Sequence, residues 1–441
     1  MALSGNALSK NVLSAGVSRE IITPKVGSYL FGYHDHLVSH SVNDQLTVTA
    51  LALESGNVKT VLLSATVCLI DTDLADKIRA RIGKALGIPA QNIILSATHT
   101  HTGPRTDGFS KWGTIDTEYC DNIFIPKCVR AARTAMENRL AAIAGVGTTE
   151  SMVGINRRQL LPDGCVILGQ NPNEVYDSTM TVIAFNGTDK KPLANLVHIG
   201  AHCTAAGICG EISRDWAGAM TDRLEAETGA VSMFFNGTAA DIAPRIPNGR
   251  SSGKSIQYAM ELGGLAGIDA VRAYKSIKTF REESVSLASG NIELAFLPPI
   301  PQDSIPARIE ATKNSTWKGW NFEKYSLEQL NALYKTGDPG PQSLQYTQTI
   351  VRIGDTVIIP YPFETCTEIG LRLRSYSQFA HTLLFSCTNG SNSYLPAQSQ
   401  LCRGGYEVES FRWFRPRQLP DNTDTLLIEQ NLKLLEKLRD S

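Results

Sequence analysis

The stretch Asn92-Ile93-Ile94-Leu95-Ser96-Ala97-Thr98-His99-Thr100-His101-Thr102-Gly103-Pro104 decides how this chain is read. Asn92 to Ala97 is a short apolar run suited to a buried strand, and it passes without a break into two histidines one residue apart and a Gly-Pro turn. Residues two apart in an extended chain project to the same side, so both imidazoles are expected to converge on one point outside a sheet edge. Open α/β sheets place their sites there. That geometry suits a metal ion. A solitary histidine is more often a surface or hydrogen-bonded core residue; the strand-end position and the turn move this pair toward metal binding.

The surrounding pattern alternates strand and helix. Thr47 to Leu53 reads as a strand, and Val58 to Cys68, after a Ser-Gly-Asn turn, reads as its buried hairpin partner. Asp71-Thr72 caps a helix in which Leu74, Ile78, Ile82 and Leu86 recur every four residues, and Gly87 with Pro89 closes it. Strands are predicted at Ala194–Ile199 and Val231–Asn236, with helices over about Asp215–Glu227 and Ser255–Ser276. Ser326 with Gln329 forms a capping box for a helix through Lys335. A hairpin is predicted over Gln345–Ile359 about Gly354-Asp355, then a helix from about Glu364, a strand over Thr382–Ser386 and a terminal helix over Thr425–Arg439. This grammar predicts an α/β fold with a layered mixed β-sheet core, flanking helices and a single large domain over 1–441. Prolines 298, 299, 301 and 306 mark the best boundary, read here as the start of a lid-like insertion near 297–343.

Composition narrows the function. The 441 residues carry 42 Lys+Arg against 43 Asp+Glu, so no bulk positive field exists to hold nucleic acid. No apolar run approaches the roughly 18 residues of a spanning helix, so no integral membrane association is expected. The amino terminus lacks a basic start and a continuous apolar run, which predicts a cytoplasmic protein. Nine cysteines, scattered and without Cys-x-x-Cys, indicate neither a disulfide framework nor a thiolate zinc site. A small-molecule substrate is the expected partner, and a homo-oligomer is left open.

A hydrolytic zinc site commonly needs three or four N and O ligands and a position for water. His202 again ends an apolar strand, and Glu364 follows Val357-Ile358-Ile359-Pro360-Tyr361-Pro362-Phe363. His198 is expected inside the strand. Glu364 taken alone also suits a helix start, where the helix dipole favours a carboxylate. Two familiar His-x-His sites fit poorly. A metallo-β-lactamase-type loop needs Asp and His where Gly103 and Pro104 stand, and amidohydrolase barrels place the pair on the first strand.

Several separated segments, in order, bear a family likeness. Thr98-His99-Thr100-His101-Thr102-Gly103-Pro104 resembles the hallmark box of the neutral/alkaline ceramidase-type zinc hydrolases, and Gly154-Ile155-Asn156-Arg157-Arg158 is similar to that family's Asn-Arg segment. Arg214-Asp215-Trp216-Ala217-Gly218 and Asn236-Gly237-Thr238-Ala239-Ala240-Asp241 resemble its Asp-x-x-Gly helix start and Gly-Asp turn. Pro362-Phe363-Glu364 takes the place of its Pro-Gly-Glu, with Phe363 for glycine. Asn389-Gly390-Ser391-Asn392-Ser393-Tyr394 and Gly404-Gly405-Tyr406-Glu407 resemble its closing Tyr and Tyr-Glu motifs. The likeness spans about residues 15 to 415 and is to the family's amino-terminal catalytic domain, without its carboxyl-terminal β-sandwich.

The resemblance implies zinc (Zn2+) held by His99, His202, Glu364 and Tyr394, with His101, Arg157 and Tyr406 facing the scissile group. It implies hydrolysis of an amide (N-acyl) bond of a small or amphiphilic substrate by zinc-activated water. Alternatives are a zinc-dependent hydrolase or lyase acting on another bond, of an ester or sugar-derived substrate, or a non-catalytic binding homologue. The aromatic clusters Trp317, Trp320, Phe322, Tyr325 and Phe411, Trp413, Phe414 suit either minor core or a lid over a flat, sugar-like substrate. Tyr33-His34-Asp35-His36 with His40 reads as a polar loop. Gly249 to Ser255 is one residue short of a phosphate loop, and no Gly-x-Ser-x-Gly elbow is present.

Overall fold

A computed structural model describes residues 12–108, 113–314, 321–337 and 340–439. The predicted hairpin lies inside an eight-stranded mixed sheet. Its strands are β1 (Ser14–Ile21), β2 (Thr47–Ser55), β3 (Val58–Ala65), β4 (Ile93–Ala97), β5 (Leu140–Glu150), β6 (Thr179–Gly187), β7 (Pro192–Ile199) and β8 (Val231–Asn236). They run in the order β8-β7-β6-β5-β1-β2-β3-β4, parallel only at the two ends, β8 with β7 and β3 with β4. A second sheet of β9 (Val285–Ala295), β10 (Ser343–Ile353), β11 (Thr356–Pro360) and β12 (His381–Phe385) lies in that order, its last pair parallel.

Strand alternation sorts the core into layers. Leu51 and Leu53 of β2 point with Leu196 of β7 and Phe235 of β8 toward Ile358 of β11 and Phe385 of β12, so the two sheets pack face to face. Phe235 stacks on Phe385 across that interface at 4.5 Å, a pair worth about 0.5–1.5 kcal/mol beyond its burial. The opposite face of β2, through Val48, Ala50 and Ala52, packs on α1 (Thr72–Leu86) and α2 (Ile125–Glu137). Val197 and Phe234 pack on α3 (Asp215–Thr228) and α4 (Ile256–Lys275). Beyond the second sheet lie α6 (Thr367–Tyr376) and α8 (Thr423–Arg439), with α5 (Phe322–Thr336) and α7 (Tyr406–Trp413) at one end. The architecture is helix, sheet, sheet, helix, in agreement with the layered α/β expectation.

The large sheet rolls until its two edges approach, and this roll positions the site. Ser64 donates to Phe234 O at 2.6 Å, and Asn236 Nδ2 to Thr98 O at 3.3 Å. The chain leaving β12 fills the seam: Ala97 N–H donates to Cys387 O, Asn389 N–H to Leu95 O, and Ser386 N–H to Asn236 O, at 2.8–3.0 Å. The edge of β4 is thereby paired, and the end of β8 is joined to it.

The elements around the histidine box agree with expectation. Asp71 accepts from Asp73 N–H and Leu74 N–H at the start of α1, and Gly87 closes it in the left-handed conformation. Two expectations fail. The helix at 322–336 is capped by Asn321, which accepts from Lys324 N–H; Ser326 is buried within it and donates to Arg415 O. The Asn321 carboxamide, five residues earlier and itself anchored on Thr312 O, therefore outcompetes the predicted box. Glu364 does not start a helix either, since α6 begins at Thr367. Among the described residues no helix is long and apolar enough to cross a membrane.

Candidate metal centre

His99 leaves β4 in a left-handed conformation, φ +70°. The extended geometry expected across His99-Thr100-His101 is therefore not what brings the rings together; a kink costing about 1–3 kcal/mol does so. Each ring is held from behind. The Nδ1–H of His99 donates to Cys68 O at 2.9 Å, and that of His101 to Gly32 O at 3.0 Å. Gly32 has φ +117°, and a Cβ there would strike the His101 ring, so only glycine suits the position. Thr100 and Thr102 between and beyond them both donate to Ser213 O at 2.8 Å.

His202 arrives from the other edge of the seam, after β7. Its N–H donates to Ile242 O and its Nδ1–H to Ala239 O at 2.7 Å. Trp216 Nε1 donates to His202 O, while Asp215, itself at φ +57°, accepts from Ala205, Ala206 and Trp216 N–H. These contacts explain the Asp-Trp and Gly-Asp segments: they anchor the histidine loop. His101 N–H donates to Cys203 O at 3.2 Å, joining the two histidine segments directly.

Glu364 and Tyr394 come from the second sheet's loops as register partners in a parallel pairing of Glu364–Thr365 with Tyr394–Leu395. Phe363, the departure from the family's glycine, is fully buried in the core beneath α6 and α8. Asp241 ties these loops to the Asn-Arg segment, accepting from Thr367 N–H and Asn156 Nδ2 while its carbonyl accepts from Arg157 N–H.

Because backbone carbonyls only accept, all three imidazoles carry a proton on Nδ1 and point Nε2 inward. His99 Nε2 is 3.3 Å from Glu364 Oε2, His202 Nε2 is 3.3 Å from the same oxygen, and His101 Nε2 is 3.2 Å from His99 Nε2. Four acceptors thus face one another, and Glu364 Oε2 is a buried oxygen without a hydrogen-bond donor. Such a cluster suits a cation, and the Arg157 guanidinium already reaches one of its nitrogens, His202 Nε2, at 2.9 Å. His99, His202 and Glu364 form a group able to hold a metal ion, and the carbonyl bonds behind the rings orient them as second contacts do at metal sites.

The electrostatics agree. Burial opposes charge on His99, yet Glu364 holds its pKa well above the usual imidazole range. Burial, then Arg157, pushes His202 down to about 4; burial and the neighbouring imidazoles push His101 well below its usual value. Positive charge is therefore favoured beside Glu364. Cys68 and Cys387 thiols flank His99 Nδ1 at 3.8 and 3.7 Å, which sequence reasoning did not anticipate.

Arg157 Nη1 donates to His202 Nε2 at 2.9 Å, and its Nε to Glu407 Oε1 at 2.8 Å; Arg158 takes the other oxygen of Glu407 at 2.7 Å. Tyr394 lies beside Glu364 and Arg157, with the guanidinium 5.5 Å from its ring centre, and the Tyr394 and Tyr406 rings meet at 5.3 Å. Burial raises both phenols, Tyr394 well above the usual range. All seven expected residues, His99, His101, Arg157, His202, Glu364, Tyr394 and Tyr406, therefore gather in one place. Glu364, Tyr394 and Tyr406 also line a small cavity together with Phe322 and Phe414.

Other expectations fall outside it. His36 is exposed, and His40 is spent on Cys209 O. His198 is buried in β7 and bonded to Leu384 O, as expected of a strand residue. Phe411 and Trp413 are core; Trp317 and Trp320 lie outside the described residues.

No protein-family model matches the chain, and no curated protein matches it. Solved structures do. A ceramidase complexed with C2 is similar over 98% of this chain and 76% of its own, with a TM-score of 0.74 and 17% identity. The neutral ceramidase from Pseudomonas aeruginosa is similar over 98% and 75%, with a TM-score of 0.74 and 18% identity. The chain has a ceramidase-type fold.

Proposed function

We propose that this chain is a zinc-dependent amidohydrolase acting on a carbon–nitrogen bond other than a peptide bond, in a small or amphiphilic N-acyl substrate. The observation that carries the reading is the convergence of His99 Nε2, His202 Nε2 and Glu364 Oε2 with their protons directed away. A buried N,N,O set of this kind suits zinc, and Tyr394 beside Glu364 is the fourth donor. Zinc, when bound, polarises a carbonyl and lowers the pKa of water toward about 7.

The remaining steps belong to the chain's own groups. Arg157, fixed by Glu407, and the hydroxyl of Tyr406 donate hydrogen bonds to the oxygen that becomes negative as the acyl carbon turns tetrahedral. His101, neutral because of its burial, accepts a proton at Nε2 from the attacking water and returns it to the departing amine nitrogen, yielding acid and amine. Phe322, from the segment near 297–343, lines the pocket, which supports the lid reading of that insertion. All nine cysteines are free thiols, which supports a reducing, cytoplasmic setting.

The test is turnover of an N-acyl amide panel by zinc-loaded protein in oxygen-18 water. Label in one carboxylate oxygen of the acid product is expected. Products formed without label sink the hydrolytic reading, and a zinc-loaded protein that cleaves no member favours the binding homologue.

A further inference from the structure

We propose that the groove where strand β5 lies open is a docking site for a short extended peptide carrying both an acidic and a basic side chain, which adds as an antiparallel strand beside Val146. This is a binding function separate from the proposed hydrolysis, and the groove shares no lining residue with the metal centre.

Every second residue of β5 turns its N–H and C=O to the side away from β6. Ala142 N–H donates there to Leu13 O, and Ala144 exchanges both of its bonds with Arg281, each at 2.9 Å. Thr148 exchanges both with the Ser276 hydroxyl, at 3.1 and 3.2 Å. Val146 stands between them in the two-residue repeat, so its N–H and C=O point the same way, and among the described residues neither has a partner on that side. The sequence builds this gap. Between Ser276 and Arg281 the chain leaves the edge, and Ile277, Thr279 and Phe280 press on the face of Gly145 where a Cβ would stand.

A groove of about 490 Å³ opens at this gap, within the roughly 300–1,000 Å³ of ligand sites. Ile183 and Ile353 give it an apolar lining. Lys278, Arg281, Glu283 and Asp355 line it as well, two cations and two carboxylates, none of them ion-paired among the described residues. One residue of an antiparallel strand meets both open groups of Val146 at once, as Arg281 meets those of Ala144. Main-chain bonds of this kind give strand addition its affinity, and the flanking side chains give it selectivity. The mixed lining favours an arriving chain with one charge of each sign, because an all-acidic or all-basic segment would meet like charge as well as opposite.

The probes are acetyl-Glu-Val-Lys-amide and acetyl-Lys-Val-Glu-amide, titrated into the full chain by calorimetry at low salt beside the same peptides N-methylated at valine and the uncharged acetyl-Ala-Val-Ala-amide. At least one charged order is expected to bind saturably with a Kd below about 10 mM. N-methylation removes the central donor and should weaken that binding about tenfold. Val146→Pro removes the matching donor on the protein, a change an open strand edge tolerates, and should weaken it similarly. Lys278→Glu combined with Arg281→Glu should abolish the preference for the charged peptide over the uncharged one, and this surface variant carries the test if Val146→Pro does not fold. Absence of saturable binding by either charged order, equal binding of the N-methylated peptide, or binding unchanged in a folded Val146→Pro or in the double variant overturns the proposal.

Discussion

Arg157 donates from Nε to Glu407 Oε1 across 2.8 Å, with the two side chains 5% and 1% exposed. Glu407 accepts from Arg158 as well, so one carboxylate is shared by two buried guanidinium groups. Removing one partner of a buried pair strands the other's charge and typically costs about 3–5 kcal/mol. Glu407→Ala is therefore expected to destabilise the protein by about that amount in urea titrations. Glu407→Gln should cost less but should still reduce turnover, because Arg157 loses its orienting partner.

Metal occupancy separates the histidines. His99→Ala and His202→Ala should leave a folded protein with little or no zinc by elemental analysis. His101→Ala should retain most of its zinc and lose about 10²–10⁴-fold in kcat, the range for lost acid–base assistance. Zinc loss in His101→Ala would make that ring a ligand.

Gly32 sets the position of His101 both through its carbonyl and through its missing side chain. In Gly32→Ala the new methyl must displace the imidazole, and the left-handed backbone adds strain. Turnover is expected to fall at least tenfold with zinc content largely kept. A variant with wild-type kcat would remove His101 placement from the mechanism.

His198 gives a stability effect that can be isolated from the metal. Burial lowers its pKa from 6.5 to about 4 in the folded protein. The unfolded chain therefore binds the extra proton first on acidification. The contribution is fully present above pH 6.5, falls as pH drops toward 4, and reaches roughly 3 kcal/mol for a shift of this size. His198→Gln can still donate to Leu384 O but does not titrate. The stability difference between wild type and variant should shift against the wild type by that amount between pH 7 and pH 4.

The legible parts of the fold were those with strong local chemistry. Asp71, the Leu74-Ile78-Ile82 stripe and Gly87 specify α1 without help from distant residues. β5 was not legible, because Gly145 and Gly147 weaken its strand pattern. Those glycines are present because the last turn of α4 and the chain after it pass so close that a Cβ on either would strike them. The seven site residues were legible mainly through the family resemblance. Their joining was not, since the pairing of Glu364 with Tyr394 and the kink at His99 depend on strands from both sheets.

The seam closed by residues 386–389 has a kinetic consequence. Leu95 N–H donates to Asn389 Oδ1 across 294 positions of chain, and His99 lies against Cys387 across 288. Contacts so remote in sequence form slowly, after the entropy of closing a long loop has been overcome. The histidines at the two sheet edges and the glutamate beyond them cannot act as one chelate until that closure is complete. During refolding, metal capture should therefore trail the recovery of helical signal, so that a zinc-sensitive dye reports the final step of assembly rather than the first.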